Sequence, residues 1–370
     1  MHSLYDRYET ECNPFQPRVR QADRMTDMSD KTIIITGGNA GLGYECARDL
    51  AQHNPGCHVV LACRSRSRGE AAAAALRSET RNPNITTMEL DLASLGSVRT
   101  FSDRFANAGL PPLYAVIANA GISAAAVPGA PRTIDGFETI FGVNHLGHFL
   151  LTNLLLNLMG DDGRIVFVTS DLHNPPAFFP KVTYDNAAEI ANRGPGMRQY
   201  CTSKLCNLYC TYEMSRLISE QTDRHITVNA FNPGAMQDTG FSKPTGNILM
   251  RGAVRVIGSV MGAIIGKQST SSESGAALAT LIADPQFATT TGKYFDRGEE
   301  ADSSPLSHNR DNATELWQAS ITMTGLKPSE TIFGRRHGHP VAGTNPAGPA
   351  PRPGDMTVNA HCSGVTRPDP

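Results

Sequence analysis

The chain has almost no charge bias. Its 370 residues carry 33 lysines and arginines against 35 aspartates and glutamates, a net charge of -2 and a pI near 6.6. Neither nucleic acid nor a strongly anionic membrane surface has an electrostatic claim on it. A disulfide framework and a zinc module are also missing, because the eight cysteines, at 12, 46, 57, 63, 201, 206, 210 and 362, are scattered. Cys206 and Cys210 would share a helix face, yet no second ligand pair accompanies them, so no metal is expected. Thiols in this pattern suit a reducing, cytoplasmic setting. The first residues lack a basic stretch followed by an apolar core, which argues against a secretory signal. The longest apolar stretch, near 252–266, contains Arg255 and is too short to span a bilayer. A soluble protein is expected, with peripheral membrane contact at most.

What is present is regular alternation. Residues 1–30 are polar and of mixed charge and read as a disordered leader. At Lys31 the pattern changes: Thr32-Ile33-Ile34-Ile35-Thr36 is β-branched without alternation, as expected of a strand buried on both faces. Further strands are expected at Cys57–Cys63, Ile85–Leu90, Leu113–Ala118, Arg164–Thr169, Ile226–Phe231 and Lys293–Asp296. Helices are expected after the glycine loop to about His53, and at Ser67–Thr80, Leu95–Ala108, Ile134–Met159 and Met197–Glu220. Two more follow, one from a capping box at Thr270-Ser271-Ser272-Glu273 to Ala283, the other at Asn312–Met323. Such alternation predicts an α/β fold, a Rossmann-type doubly wound parallel sheet in one catalytic domain over 31–333. The Pro-, Gly- and Ser-rich residues 334–370 read as a disordered tail.

The first strand runs into Gly37-Gly38-Asn39-Ala40-Gly41-Leu42-Gly43 and then a helix. That setting suits glycines that turn tightly and let a dinucleotide pyrophosphate approach the helix N-terminus. Arg64 stands 21 residues after Gly43, where an NAD site commonly has an acidic residue. A guanidinium there suits a 2′-phosphate, so NADP (NADPH) is expected rather than NAD. The alternative is a solvated loop arginine.

Later in the chain, Tyr200 and Lys204 lie one helical turn apart. A neighbouring cation is expected to draw the phenol down from its reference pKa of about 10. Tyr184, with Ala188 at the matching position, has no such partner. His145 and His148 are three residues apart, and packing explains them better than a metal does.

Together these stretches resemble the short-chain dehydrogenase/reductase family over about residues 31–300. The matching pieces are Thr36-Gly37-x-x-x-Gly41-x-Gly43, Asp91, Asn119-Ala120-Gly121, Asn144, Ser170, Tyr200-x-x-x-Lys204 and Pro233-Gly234. Ala62-Cys63-Arg64, Leu90-Asp91-Leu92-Ala93-Ser94-Leu95 and Asn144-His145-Leu146-Gly147-His148-Phe149 look like the branch holding retinol dehydrogenases and light-dependent protochlorophyllide reductases.

The resemblance implies a catalytic set of Asn144, Ser170, Tyr200 and Lys204. Tyr200 would protonate a carbonyl oxygen, Ser170 would stabilise charge on it, and Asn144 would hold a water linking Lys204 to solvent. Lys204 would bind the nicotinamide ribose. It further implies a dinucleotide held by Thr36, Gly37, Asn39, Gly41, Leu42, Gly43, Arg64, Asp91, Asn119, Tyr200, Lys204, Pro233, Gly234 and Thr239, with Asp91 at the adenine and Thr239 at the carboxamide. Alternatives stay open: Thr169 competes with Ser170, Asn144 suits a buried amide satisfied by backbone, and Asp91 suits a turn.

The gap from Ser170 to Tyr200 exceeds that of compact family members. Its Pro175-Pro176-Ala177-Phe178-Phe179-Pro180 reads as an apolar wall or a cover for the sheet edge. Residues 236–268 read as a substrate lid, in which Met250, Val254, Val256, Ile257, Val260 and Met261 either line an apolar pocket or pack the lid down. The expected activity is NADP(H)-dependent hydride transfer to or from the carbonyl or alcohol of a fairly apolar retinoid-, steroid- or polyketide-like molecule. Reduction of a carbon–carbon double bond and a non-catalytic dinucleotide-binding scaffold are the alternatives. A homodimer through the helices at 134–159 and 197–220 is expected from the family.

Overall fold

A computed structural model describes residues 27–123, 132–177, 179, 181–236 and 268–334. Residues 1–26, the tail from 335, Thr239, Phe178, Pro180 and all of the expected lid except its two end residues lie outside them.

The strands are β1 (Thr32–Thr36), β2 (His58–Cys63), β3 (Ile85–Glu89), β4 (Leu113–Ala118), β5 (Met159–Val168), β6 (Thr227–Asn232), β7 (Ala235–Met236), β8 (Gln268–Ser269), β9 (Tyr294–Asp296) and β10 (Glu299–Ala301). Eight of them form one sheet in the order β10-β9-β6-β5-β4-β1-β2-β3. It is parallel from β3 to β9, and β10 returns antiparallel on β9 at the edge, an addition to the expected parallel sheet. The short strands β7 and β8 pair separately.

Every residue of β1 and β4 is buried, because helices cover both faces of the sheet. On one side Ile33, Ile35, Val59 and Leu61 pack against α1 (Gly41–His53), α2 (Arg66–Thr80) and α8 (Ser271–Ala283). On the other, Ile34, Val60, Val116 and Ile165 pack against α3 (Leu95–Ala106), α5 (Gly147–Leu156) and α7 (Met197–Gln221). The Thr270 capping box that opens α8 is present as expected, with Glu273 N donating to Thr270 Oγ1 at 3.1 Å. Strand order reverses between β1 and β4, so a crevice opens beyond their carboxyl ends.

The helix expected over Ile134–Met159 is different in three ways. Ile134 is 81% exposed and stands in a turn before the helix, and Gly136 has a φ of 87°. Helix starts only after Glu138, whose carboxylate caps the amides of Ile140 and Phe141 at 3.0 and 2.8 Å. It then runs as α4 (Thr139–Phe141), a π-helical turn (Gly142–Leu146) and α5, ending at Leu156. β5 correspondingly starts early, at Met159, and its pairing with β4 jumps from Leu113↔Met159 to Ala115↔Arg164.

Parts of α5 and α7, the helices expected to make a dimer, are covered within the chain. After α6 (Ala187–Asn192), α7 and the last helix, α9 (Arg310–Thr324), the chain lies back across α5 and α7. Trp317 meets the Phe149 ring edge-on at 4.9 Å. Thr331 donates to Asn153 Oδ1 at 3.0 Å, and Tyr209 to the Leu306 carbonyl at 2.8 Å. Nine of the ten α5 residues are buried without a second copy.

Candidate active site

The glycine loop joins β1 to α1 at the reversal of strand order. Gly37 sits at φ 66°, where a side chain is strained. A Cβ on Gly43 would lie 2.6 Å from Asn119 Nδ2 and 2.8 Å from the Gly37 carbonyl, so loop and helix approach as only glycine permits. α1 starts after Ala40 with no side-chain cap and no acidic residue in its first turn. Its leading N–H groups and positive dipole end therefore face the crevice uncompensated, which fits a pyrophosphate.

Other expected dinucleotide contacts are partly redirected inward. Thr36 is fully buried, and its hydroxyl accepts from the amides of Asn119 and Ala120, both at 2.9 Å. Asn119 Nδ2 donates to the Thr36 carbonyl at 2.7 Å, lashing the end of β4 to the glycine loop. Leu42 is packed in the core under α1. Thr36 and Leu42 thus shape the loop, with backbone alone left for a ligand. Asn39 is half-buried, and its amide points at the Cys63 thiol, which burial raises to about 11. Asp91 serves the turn weighed for it, since Oδ1 accepts from Ala93 N at 3.0 Å. Gly234 has a φ of 76°, and Ser274 donates to the Pro233 carbonyl at 2.7 Å.

Arg64 is exposed just beyond β2 and forms no ion pair among the described residues. Arg66 is taken by Glu70 at 2.7 Å, whereas Arg68, in the first turn of α2, has no carboxylate among the described residues either. Arg68 closes the run Arg64-Ser65-Arg66-Ser67-Arg68, of which the sequence reading used only Arg64.

Thr169 and Ser170 end β5 with opposite orientations. Thr169 is buried and donates to the Lys204 carbonyl at 2.8 Å. Ser170 Oγ donates to Asp171 Oδ1 at 3.1 Å, accepts from Leu172 N at 3.2 Å, and lies within hydrogen-bonding reach of the Tyr200 phenol. His173, a second missed residue, fixes Ser170 from behind. The Ser304 amide donates to His173 Nε2 at 3.0 Å, so Nδ1–H donates to the Ser170 carbonyl at 2.6 Å. Tyr184 is committed elsewhere, donating to Glu315.

α7 carries Tyr200 and Lys204 into the same place. Lys204 Nζ stands 5.7 Å from the Tyr200 ring centre and donates to the Val168 carbonyl at 3.0 Å. Burial draws Lys204 down to about 8. The expected lowering of the tyrosine is not found in the protein alone. Burial pushes the Tyr200 phenol up, Cys201 and Asp171 add to this, and only the Ser170 hydrogen bond draws it down. Desolvation wins because Tyr200 and Lys204 are both nearly inaccessible, at 8% and 4% exposure.

Asn144, on the π-helical turn, is fully buried. Its Oδ1 accepts from Ile122 N at 2.8 Å, and Nδ2 donates to the Ile122 carbonyl and Ser203 Oγ, both at 3.0 Å. This is the backbone-satisfied amide weighed against a water-holding role. It stays beside Lys204, because Gly121 borders both Asn144 Oδ1 and Lys204 Nζ. His145 stacks on Phe141 with ring centres 5.2 Å apart. Among the described residues no group of three His, Cys, Asp or Glu side chains is placed to hold a metal.

A doubly wound sheet, a glycine loop at its switch point and a Ser-Tyr-Lys set at the adjoining strand ends define an oxidoreductase of the short-chain dehydrogenase/reductase family, to which this chain belongs. It falls in the retinol-dehydrogenase-like branch. Residues 31–180 match the family described as short chain dehydrogenase. Human retinol dehydrogenase 13 is 33% identical, over 80% of this chain and 85% of that protein. Human polyprenol dehydrogenase is 31% identical, over 80% and 86%. Among solved structures, a blue fluorescent protein from a metagenomic library in complex with NADPH superposes with a TM-score of 0.55 and 23% identity, covering 73% of this chain and 97% of its own. A Serratia marcescens short-chain dehydrogenase/reductase gives 0.56 and 21%, covering 75% and 100%. These two likenesses concern the fold.

Proposed function

We propose that the protein is an NADP(H)-dependent oxidoreductase acting on the carbonyl or alcohol of a fairly apolar small molecule. The observation that carries this reading is the convergence of Ser170, Tyr200 and Lys204 beside the glycine loop. When bound, the nicotinamide supplies or accepts the hydride. Tyr200 gives its phenolic proton to the substrate oxygen, and Ser170 turns its hydroxyl toward that oxygen to stabilise the developing charge. Lys204 holds its ammonium behind the phenol and offers donors to the nicotinamide ribose. Because burial raises the Tyr200 phenol, with Cys201 and Asp171 adding to it, the positive charge that would draw it down is that of Lys204 beside the ring. Asn144 keeps the Gly121–Ile122 backbone and α7 in register beside this pair.

Arg64 and Arg68 support the choice of NADP, since two guanidiniums without carboxylate partners among the described residues suit a 2′-phosphate. The names of the relatives support an apolar retinoid- or polyprenol-like substrate. Free, buried cysteines among the described residues support a cytoplasmic location. The test is NADPH oxidation by the purified protein against all-trans-retinaldehyde, steroid ketones, aromatic aldehydes and polyketide-like ketones. Turnover of at least one carbonyl, with NADPH preferred to NADH, is expected. Reduction confined to carbon–carbon double bonds would overturn the reading.

A further inference from the structure

His148 is fully buried, and the hydrogen bonds around it run in one continuous line between the two halves of the site. At one end the amides of Asn119 and Ala120 donate to Thr36 Oγ1, both at 2.9 Å. Thr36 Oγ1 lies 2.9 Å from His148 Nε2, and His148 Nδ1 lies 3.1 Å from the Asn144 carbonyl. Asn144 Nδ2 donates to Ser203 Oγ at 3.0 Å, and Ser203 donates to the Tyr200 carbonyl at 2.7 Å. Thr36, His148, Asn144 and Ser203 are all inaccessible to solvent.

The ends of this line set the position of every proton in it. A carbonyl only accepts, so His148 Nδ1 carries the hydrogen and donates to Asn144. A neutral ring then presents a lone pair at Nε2. The Thr36 hydroxyl, already accepting two amides, must aim its single proton there rather than at the Ile117 carbonyl 3.3 Å away. Burial and the nearby Lys204 charge hold His148 down to about 4, which keeps the ring neutral at working pH. The Asn144 carbonyl lies one turn back from His148, the same reach by which His53 meets the Asp49 carbonyl in α1.

We propose that His148 is a positioning residue whose Nδ1–H tautomer ties the glycine-loop strand to the helix carrying Tyr200, so that the dinucleotide site and the proton donor hold one register. Packing alone would ask only for bulk at this position. The line asks for a donor at one ring nitrogen and an acceptor at the other.

Three variants separate the halves of the tie. His148→Asn keeps a donor near the Nδ1 position, His148→Gln keeps an acceptor near Nε2, and His148→Leu keeps neither. His148→Leu is expected to lose roughly tenfold or more in turnover with all-trans-retinaldehyde at saturating NADPH, and to weaken NADPH binding about threefold or more. His148→Asn is expected to recover most of the turnover, and His148→Gln the NADPH affinity. The proposal is overturned if His148→Leu matches the unmodified protein in both, or if all three variants lose activity only in step with thermal stability. On the unmodified protein, 15N NMR of the histidine rings at pH 7 should show the Nδ1–H tautomer for His148, and an Nε2–H ring would overturn the proposal. The turnover measurement rests on the proposed carbonyl reduction. NADPH affinity and the ring tautomer do not, so absence of retinaldehyde turnover would count against that function and leave this inference to be decided by the other two.

Discussion

Lys204 donates to the Val168 carbonyl from within α7 while its ammonium stands 5.7 Å from the centre of the Tyr200 ring. The cation is thus held by the last residue of the strand that leads into Ser170, and the phenol, the hydroxyl and the charge share one rigid support. Neither partner of the helical pair is comfortable there, since burial raises the phenol and lowers the ammonium.

Replacing Tyr200 by Phe removes the proton donor and little else. Turnover of any accepted carbonyl is expected to fall by about 10²–10⁴-fold. NADPH affinity, read by fluorescence titration, should change less than about threefold, because the phenol is not the main dinucleotide contact. Undiminished turnover would remove Tyr200 from the mechanism.

Lys204 also predicts a stability profile. The unfolded lysine keeps its proton to about 10.5, whereas the folded one gives it up from about 8. Between those values the unfolded state binds more protons, so raising the pH favours the folded state. Lys204→Met should therefore be more stable than the unmodified protein near pH 7, by up to roughly 3 kcal/mol from the linkage alone. That advantage should shrink steadily toward pH 9.5. Urea unfolding of both proteins across this range gives the difference, in which the other titrating groups cancel. A gap that widens with pH would contradict the assignment.

In the proposed reading, the pair of arginines beyond β2 sets the cofactor preference. Arg64→Asp should weaken NADPH binding by about 10- to 100-fold, the size of one or two charge-assisted hydrogen bonds, and leave NADH nearly unchanged. Arg68→Ala should do the same to a smaller degree, about three- to tenfold. Isothermal titration with both dinucleotides decides this, and equal losses for both would reject the 2′-phosphate role.

Thr169 and Ser170 give an internal comparison. Ser170→Ala is expected to cost about 10²-fold in turnover with little change in unfolding free energy. Thr169→Val should do the reverse, losing about 1 kcal/mol of stability with the Lys204 carbonyl bond and keeping turnover within a few-fold. If the two results were exchanged, the oxyanion partner would be Thr169.

Much of this architecture was legible because its signals are local. The run Thr32–Thr36 reads as a buried strand by composition, and Thr270 with Glu273 spells its own cap. The π-helical turn was hidden because both faces of that helix are buried. With Asn144, His145, His148, Thr152 and Asn153 buried alongside the apolar residues, there was no polar face against which an extra residue would show. Ile134 misled for the opposite reason, being apolar yet exposed ahead of a helix that waits for Glu138. The role of His148 was illegible, since its partner Thr36, 112 positions away, meets it only after β1 has packed against the helix. Trp317 reaches Phe149, on one of the helices expected to make a dimer, from 168 positions away, a relation no window of sequence contains. Thr239, proposed for the carboxamide, lies outside the described residues.

The hold of His173 on Ser304 and of His145 on Ser320 has a consequence for biosynthesis. Both histidines flank the centre of the site, and both are completed by residues made more than a hundred positions later. A nascent chain that has passed all of β1 to β6 and the Tyr200 helix therefore still lacks both hydroxyl-bearing partners of these rings. The last of the two bonds, to Ser320, closes only once α9 has been made.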